Sequence, residues 1–366
     1  MSFVGNPKML KEVNSSSVER CLFARGPLSK PELAKLTNLS LPTVSKIVDD
    51  LEEKSLVCPV GFTASGAGRK AVLYQINQNS GCVIVLYYSW GKYLCRLADV
   101  VGNTLHEVSS GLDSRTAEAA IDSTFSAIDS MLTHTPSELK AIGVGIPGAV
   151  MPDGKLFAIP KIPAWEGFDL GDALSKRYGV AISVENDVKL AAFGCFRTFL
   201  KEEFDNIVYI YAGNGMGSGI IINKKLYHGS NNFSGELGFL ASLDGELPGF
   251  DYTLEGGYLE KKLNTLIKQV GGRFSAYENE KLINYFTEIA ADYIAVINPA
   301  AIVFGGEVFD DDMIDEIRIR VVNYAPSCSI PHILYDDSGS RGLDGLVLAC
   351  IGRLTTEVQI VQNGGV

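Results

Sequence analysis

Apolar positions follow two different periods along the chain, and the switch between them marks its organisation. Up to about residue 54 the spacing is helical. Val13 to Arg25 sets Val18, Cys21, Leu22 and Ala24 on or near one face and stops at Gly26-Pro27. Ser29, with Glu32 three residues on, forms a capping-box signature that predicts a short helix over Pro31 to Leu36. Thr37-Asn38-Leu39 reads as a turn. Ser40 then caps a further helix whose buried stripe is Val44, Ile47, Val48 and Leu51, while Thr43, Ser45 and Lys46 point elsewhere. From Leu56 the period falls to two: Leu56 to Val60 and Val72 to Ile76 read as strands around Ser65-Gly66-Ala67-Gly68-Arg69-Lys70. Helix, turn, helix and basic hairpin in this order predict a winged helix-turn-helix. Its candidate DNA contacts are Ser40, Pro42, Thr43, Ser45 and Lys46, with Arg69 and Lys70 at the hairpin tip.

Beyond Cys82 the pattern is mixed α/β. Three short strands (83 to 88, 93 to 98, 104 to 108) precede a helix from Arg115 to Leu132 and a buried strand, Ala141 to Ile146, that ends at Pro147-Gly148. A helix from Asp169 to Tyr178 and a strand from Ala181 to Val184 follow. The second half repeats the theme, with strands at 207 to 211 and 220 to 222, further β structure, a helix from Leu282 to Ile297, a strand from Ala301 to Phe304, and helices near 312 to 324 and 346 to 356. Two successive copies of strand-strand-strand-helix-strand predict a duplicated α/β fold with a cleft between lobes.

The stretch from Val184 to Gly238 concentrates the candidate chemistry. Glu185-Asn186-Asp187 ends a buried strand, where α/β sheets bind small molecules, and the glycine-rich turn Gly213 to Gly219 offers backbone N–H groups beside it. Gly235-Glu236-Leu237-Gly238 closes the segment. A plainer reading exists for each piece: Asn186 or Asp187 caps the next helix, and the glycine turn is a hairpin.

Composition narrows the class. At 366 residues, 46% hydrophobic and 20% charged, the chain suits two or three globular domains. The net charge of −11 is segregated: residues 1 to 75 hold ten Lys/Arg against seven Asp/Glu, the remainder 22 against 36. A small basic module on a large acidic body is what a DNA-binding protein with a separate sensing domain would show. No apolar run reaches the roughly 18 residues of a membrane helix, and no secretory signal is visible among Lys8, Lys11, Arg20 and Arg25. Seven cysteines without a Cys-x-x-Cys pair suggest reduced thiols in a cytoplasmic protein.

Taken together, these stretches resemble the ROK family of repressors, open reading frames and sugar kinases. The likeness runs through Leu28-Ser29-Lys30-Pro31-Glu32-Leu33-Ala34, Leu39 to Ser45, Gly68-Arg69-Lys70, Gly145 to Gly148, Glu185-Asn186-Asp187, Gly213 to Gly219, Gly235 to Gly238, and Asn298-Pro299 through Gly305-Gly306. It covers nearly the whole chain. The resemblance implies a winged helix-turn-helix over residues 1 to 78, then an actin-like, ribonuclease H-like, two-lobed domain of the ATPase type over 79 to 366. It also implies that Asn186 and Asp187 hydrogen-bond sugar hydroxyls, with Asp187 at the kinases' catalytic base position, and that Gly148, Glu236 and Glu260 make further sugar contacts.

Three departures shape the expectation. The kinases' Asp-x-Gly-Gly phosphate motif falls at Tyr87-Tyr88-Ser89-Trp90, a Thr common in the second phosphate loop is Asn214, and the family's Gly-His is Gly238-Phe239. The cysteine-rich zinc segment is replaced by Phe250 to Tyr258, so no metal and no cofactor is expected. The sequence thus predicts a non-enzymatic repressor of carbohydrate metabolism, a homodimer or higher homo-oligomer, that binds operator DNA and responds to a sugar or sugar derivative. Its rivals are an ATP-dependent sugar kinase and a regulator controlled by a protein partner, its sugar cleft vestigial.

Overall fold

The computed structural model describes residues 7–63, 70–89, 91–114, 116–159, 162–213, 215–240, 257, 259, 261, 263 and 276–354. Arg69, Trp90, Asn214 and Glu260 lie outside the described residues, as does most of the segment from Phe250 to Tyr258.

The N-terminal part contains α1 (Pro7–Arg25), β1 (Leu28–Ser29), α2 (Lys30–Thr37), α3 (Leu41–Glu53), β2 (Val57–Phe62) and β3 (Val72–Ile76). The capping box predicted at Ser29 is present, and Ser40 accepts the Thr43 N–H at the start of α3. Asn38 lies between α2 and α3 with φ 54°, a left-handed value to which Asn is suited. Strands β2, β3 and β1 form an antiparallel sheet in the order β1-β3-β2. Val18, Leu22, Leu33, Val44, Ile47, Val48 and Leu51 are buried together with Val57, Tyr74 and Ile76.

The body is built on two five-stranded sheets of one plan. In the first, β4 (Cys82–Ser89), β5 (Lys92–Asp99) and β6 (Thr104–Gly111) form an antiparallel meander; β7 (Leu139–Ile146) runs parallel to β4, and β10 (Ala181–Asn186) parallel to β7. In the second, β11 (Ile207–Ala212), β12 (Met216–Ile222) and β13 (Lys225–Leu226) form the meander, with β14 (Ala301–Gly305) parallel to β11 and β15 (His332–Asp336) parallel to β14. The strand orders, β10-β7-β4-β5-β6 and β15-β14-β11-β12-β13, correspond strand for strand. The duplication expected from the pattern is therefore a duplication of topology. The small ribbon of β8 (Ala149–Val150) and β9 (Leu156–Phe157) follows β7.

Helices cover both sheets. On the first, α4 (Ala117–Leu132) and α5 (Leu170–Tyr178) close a core around Ile84, Leu86, Leu97, Ile128, Trp165 and Leu174. On the second, α7 (Ala276–Val296) and α8 (Asp311–Val321) close one around Ile210, Phe286, Phe304, Ile314 and Ile317. The last strand of each sheet leads into an inner helix, α6 (Asp187–Gly194) after β10 and α9 (Arg341–Leu354) after β15. Leu190 of α6 joins the cluster of the first sheet and α9, whereas Ala191 and Ala192 join that of the second sheet.

Two expectations needed revision. The strand β15 was not foreseen, and α9 begins at Arg341, five residues before the helix predicted from Leu346. Gly342 and Gly345 weaken the local helix signal, and their value emerges only when another backbone packs on them. No described helix is long and apolar enough to cross a membrane.

Candidate functional site

The cleft site is assembled from the ends of β7 and β10, the start of α6 and the loop after β13. Asn186 is the N-cap of α6, its Oδ1 accepting the Lys189 N–H at 2.9 Å. The capping reading of this residue is correct, and it does not exhaust the side chain. Asn186 Nδ2 donates to the Gly148 carbonyl at 3.0 Å, which ties the end of β10 to the turn after β7. Asp187 opens the helix, with Oδ1 accepting the Val188 N–H at 2.8 Å. A carboxylate in a first helical turn is favoured by the helix dipole.

Three side chains that the motif reading passed over, His228, Lys189 and Asn232, join Glu185 in completing the arrangement. Glu185 accepts the Asn186 N–H through Oε1 and lies 2.8 Å from His228 Nε2 through Oε2. Lys189 is only 1% exposed, and its ammonium donates to the Asn232 carbonyl. Asn232 in turn donates to the Val150 carbonyl at 2.7 Å. The loop from His228 to Glu236 thus leaves the second sheet and fastens onto the first. Burial lowers the Lys189 pKa, and the charges of Glu185 and Glu236 oppose that shift. Glu236 thereby stands within electrostatic reach of Lys189, as it does of Tyr293, whose hydroxyl lies 2.5 Å from Ser218 Oγ. The structure brings Gly148, Asn186, Asp187 and Glu236 to one region; Glu260 is outside the described residues. Polyhydroxylated ligands suit such a group of amides and carboxylates, which both donate and accept.

The glycine turn has a different character. It closes the antiparallel hairpin of β11 and β12, and Gly213 spends its N–H on the Gly215 carbonyl at 2.9 Å. Glu307 places its carboxylate directly against Gly213 and accepts the Tyr211 hydroxyl at 3.1 Å. An acid there repels phosphate. In the first sheet, Tyr87 of β4 donates to the Asp187 carbonyl at 3.4 Å. Its phenol pKa is pushed well above the ordinary value by burial first, then by the surrounding Asp187, tyrosines and Glu307. At Tyr87 a bulky aromatic stands where small residues would be needed to cradle a phosphate, and in the glycine turn the Gly213 N–H is already spent and faces the Glu307 carboxylate. Among the described residues, no cluster of three or more His, Cys, Asp or Glu is placed to hold a metal ion.

At the other end of the molecule, Leu41, Pro42 and Lys46 are exposed on α3, with Thr43 and Ser45 half-buried. Ser40 Oγ and Thr43 Oγ1 are 2.8 Å apart. All four acids of α3, Asp49, Asp50, Glu52 and Glu53, lie farther along it, Asp49 paired with Lys30 and Asp50 with Lys11. The N-terminal turns of α3 are therefore its least acidic surface. Lys70 is exposed just before β3; Arg69 is outside the described residues.

Two equivalent sheets with inner helices, and a polar cluster where they meet, define a mixed α/β, actin-like body of the sugar-kinase type. Residues 92 to 248 match the ROK family model. The xylose repressor of Bacillus subtilis (strain 168) is 28% identical over 240 residues, 65% of this chain and 62% of that relative's length. A provisionally named xylose repressor of Caldicellulosiruptor sp. (strain Rt8B.4) is 23% identical over 394 residues, covering 97% of this chain and 98% of its own. The crystal structure of a ROK family transcriptional regulator, a homologue of the Escherichia coli MLC protein, superposes with a TM-score of 0.76 at 18% identity, over 94% of this chain and 96% of that one. The ROK hexokinase of Thermus thermophilus superposes with a TM-score of 0.61 at 19% identity, over 75% and 99%. These structural likenesses establish a shared fold.

Proposed function

We propose that the protein is a sequence-specific DNA-binding regulator, a repressor of carbohydrate metabolism, whose cleft senses a sugar or sugar derivative. Residues 1 to 78 form the winged helix-turn-helix and 79 to 366 the effector domain. Ser40, Pro42, Thr43, Ser45, Lys46, Arg69 and Lys70 meet DNA as part of a homodimer, and Gly148, Asn186, Asp187, Glu236 and Glu260 receive the effector. The observation that supports this reading is an asymmetry: Asn186, Asp187 and Glu236 gather near Gly148, while Tyr87 and Glu307 lie at the two hairpins where the family resemblance would put a nucleotide's phosphates. Phosphoryl transfer depends on positioning and charge stabilisation around those phosphates and Mg²⁺, so the chain is not a working kinase. The names of its relatives support the same choice.

The test is selection of duplex DNA by the full-length protein from a random-sequence library. Anisotropy titrations of the selected duplex then follow, with and without a panel of pentoses, hexoses and N-acetylhexosamines. A selected duplex bound with a log affinity that falls linearly in log salt, and shifted by a panel sugar, is the expected result. Failure to select any sequence overturns the DNA-binding reading. Sugar-dependent ATP turnover that disappears in Asp187→Asn would establish the kinase instead, and selection without any sugar response would favour control by a protein partner.

A further inference from the structure

Helix α9 touches the cleft at one end and the N-terminal module at the other. At its first turns it meets α6 without intervening side chains: a Cβ on Gly345 would overlap the Leu190 carbonyl, and one on Gly194 the Arg341 carbonyl. Two backbones in direct contact leave nothing between them to absorb a displacement, as close-packed interiors transmit strain. Gly342, one turn away, abuts the hydroxyl of Tyr87, the residue that donates to the Asp187 carbonyl. Arg341 fixes the same end to the second sheet, binding Asp336 and Thr198 at 2.8 Å each. Asp344 is held by Arg96 of β5 at 3.0 Å.

From there α9 runs for 14 residues, about 20 Å at the rise of an α-helix. Its far end is anchored in two ways. Arg353 donates to the Ile182 carbonyl of β10, the strand that ends in Asn186. Leu354 packs against two apolar clusters at once, the core of the N-terminal module and the core that α9 makes with the first sheet. Phe23 of α1 also belongs to both. With Val100, which follows β5 and is buried in the core of the module, those two side chains form an apolar seam between module and body.

We propose that α9 couples the cleft to the N-terminal module, with Phe23 and Leu354 as the positioning residues at the junction. A shift of α6, whose first residues form the site, is carried through the Gly194–Gly345 contact along a stiff helix to Leu354, and reorients α1. The regulatory meaning rests on the reading of the cleft as an effector site and of the module as a DNA binder. The mechanical coupling is testable without either. Coupling of this kind requires an element that both sites bias, and α9 reaches both.

The experiment is hydrogen exchange by mass spectrometry on the full-length protein and on Leu354→Ser. The variant is expected to raise exchange about tenfold in peptides of α1 and also in residues 187–194, at the opposite end of α9, leaving β11 and β14 unchanged. A rise confined to α1 and residues 350–354 overturns the proposal. Should Leu354→Ser fail to fold, Leu354→Ala carries the same measurement. In a second arm the duplex selected from the random library is added: protection at 187–194 in the wild type, reduced in Leu354→Ala, supports the coupling, and protection limited to the module overturns it. If no duplex is selected, the regulator reading fails and the exchange of the free proteins still decides the coupling.

Discussion

The two halves of the body put a hairpin, a parallel strand and an inner helix at the same places and fill them with different chemistry. In the first, the hairpin of β4 and β5 carries Tyr87; in the second, that of β11 and β12 is a glycine turn with Glu307 against it. The fifth strand ends at Asn186 in the first half and at Asp336 in the second, and each residue is buried. Asn186 is a neutral cap that bonds the Gly148 carbonyl, beside the carboxylates of Glu185 and Asp187. Asp336 is spent internally, in an ion pair with Arg341 at 2.8 Å. A duplicated scaffold thus supplies two equivalent strand ends, and the side chain at each decides whether it caps the inner helix or pairs with a cation.

Mutations at matched positions sharpen this contrast. The largest effect is expected from Asp336→Ala, which leaves Arg341 without its buried partner and should cost about 3 kcal/mol in urea unfolding, toward the low end for a buried pair because Arg341 is partly exposed. A cost below that of Asn186→Ala would break the comparison. Next, Asp187→Ala should weaken binding of whichever panel sugar shifts the DNA titration by about tenfold to a hundredfold, as loss of a charged hydrogen bond implies. Calorimetry showing equal affinity would move the effector elsewhere. Asn186→Ala removes a cap and should cost about 1 kcal/mol of stability, with Asn186→Ser recovering part of it. The smallest change belongs to Lys46→Ala, which should lower the slope of log affinity against log salt by about one for the selected duplex and leave unfolding unaltered. An unchanged slope would remove Lys46 from the DNA surface.

Coupling adds a relation among these numbers. Because linkage is reciprocal, an effector that weakens DNA binding must itself bind the DNA-bound protein less tightly, by the same factor.

Much of this molecule could be read from consecutive residues. The helical stripe of α3, its Ser40 cap, the capping box at Ser29 and the buried runs of β4, β7 and β14 all follow from interactions within a few residues of one another. Strand β15 escaped because His332 to Asp336 is a short edge with a broken burial pattern, given its place only by pairing with β14. The early turns of α9 escaped because glycine opposes helix in isolation and is required here by the backbone of α6. At the site, Asn186, Asp187 and Glu236 announce themselves through a motif. The bond of His228 to Glu185, that of Lys189 to Asn232, and the carboxylate of Glu307 on Gly213 join residues tens of positions apart; the first two exist only once the sheets have closed on each other, the third only once β14 has paired with β11. Period, caps and turns are short-range and are written along the chain, whereas which polar groups meet is settled by packing, which alone fixes their distance and removes water from between them.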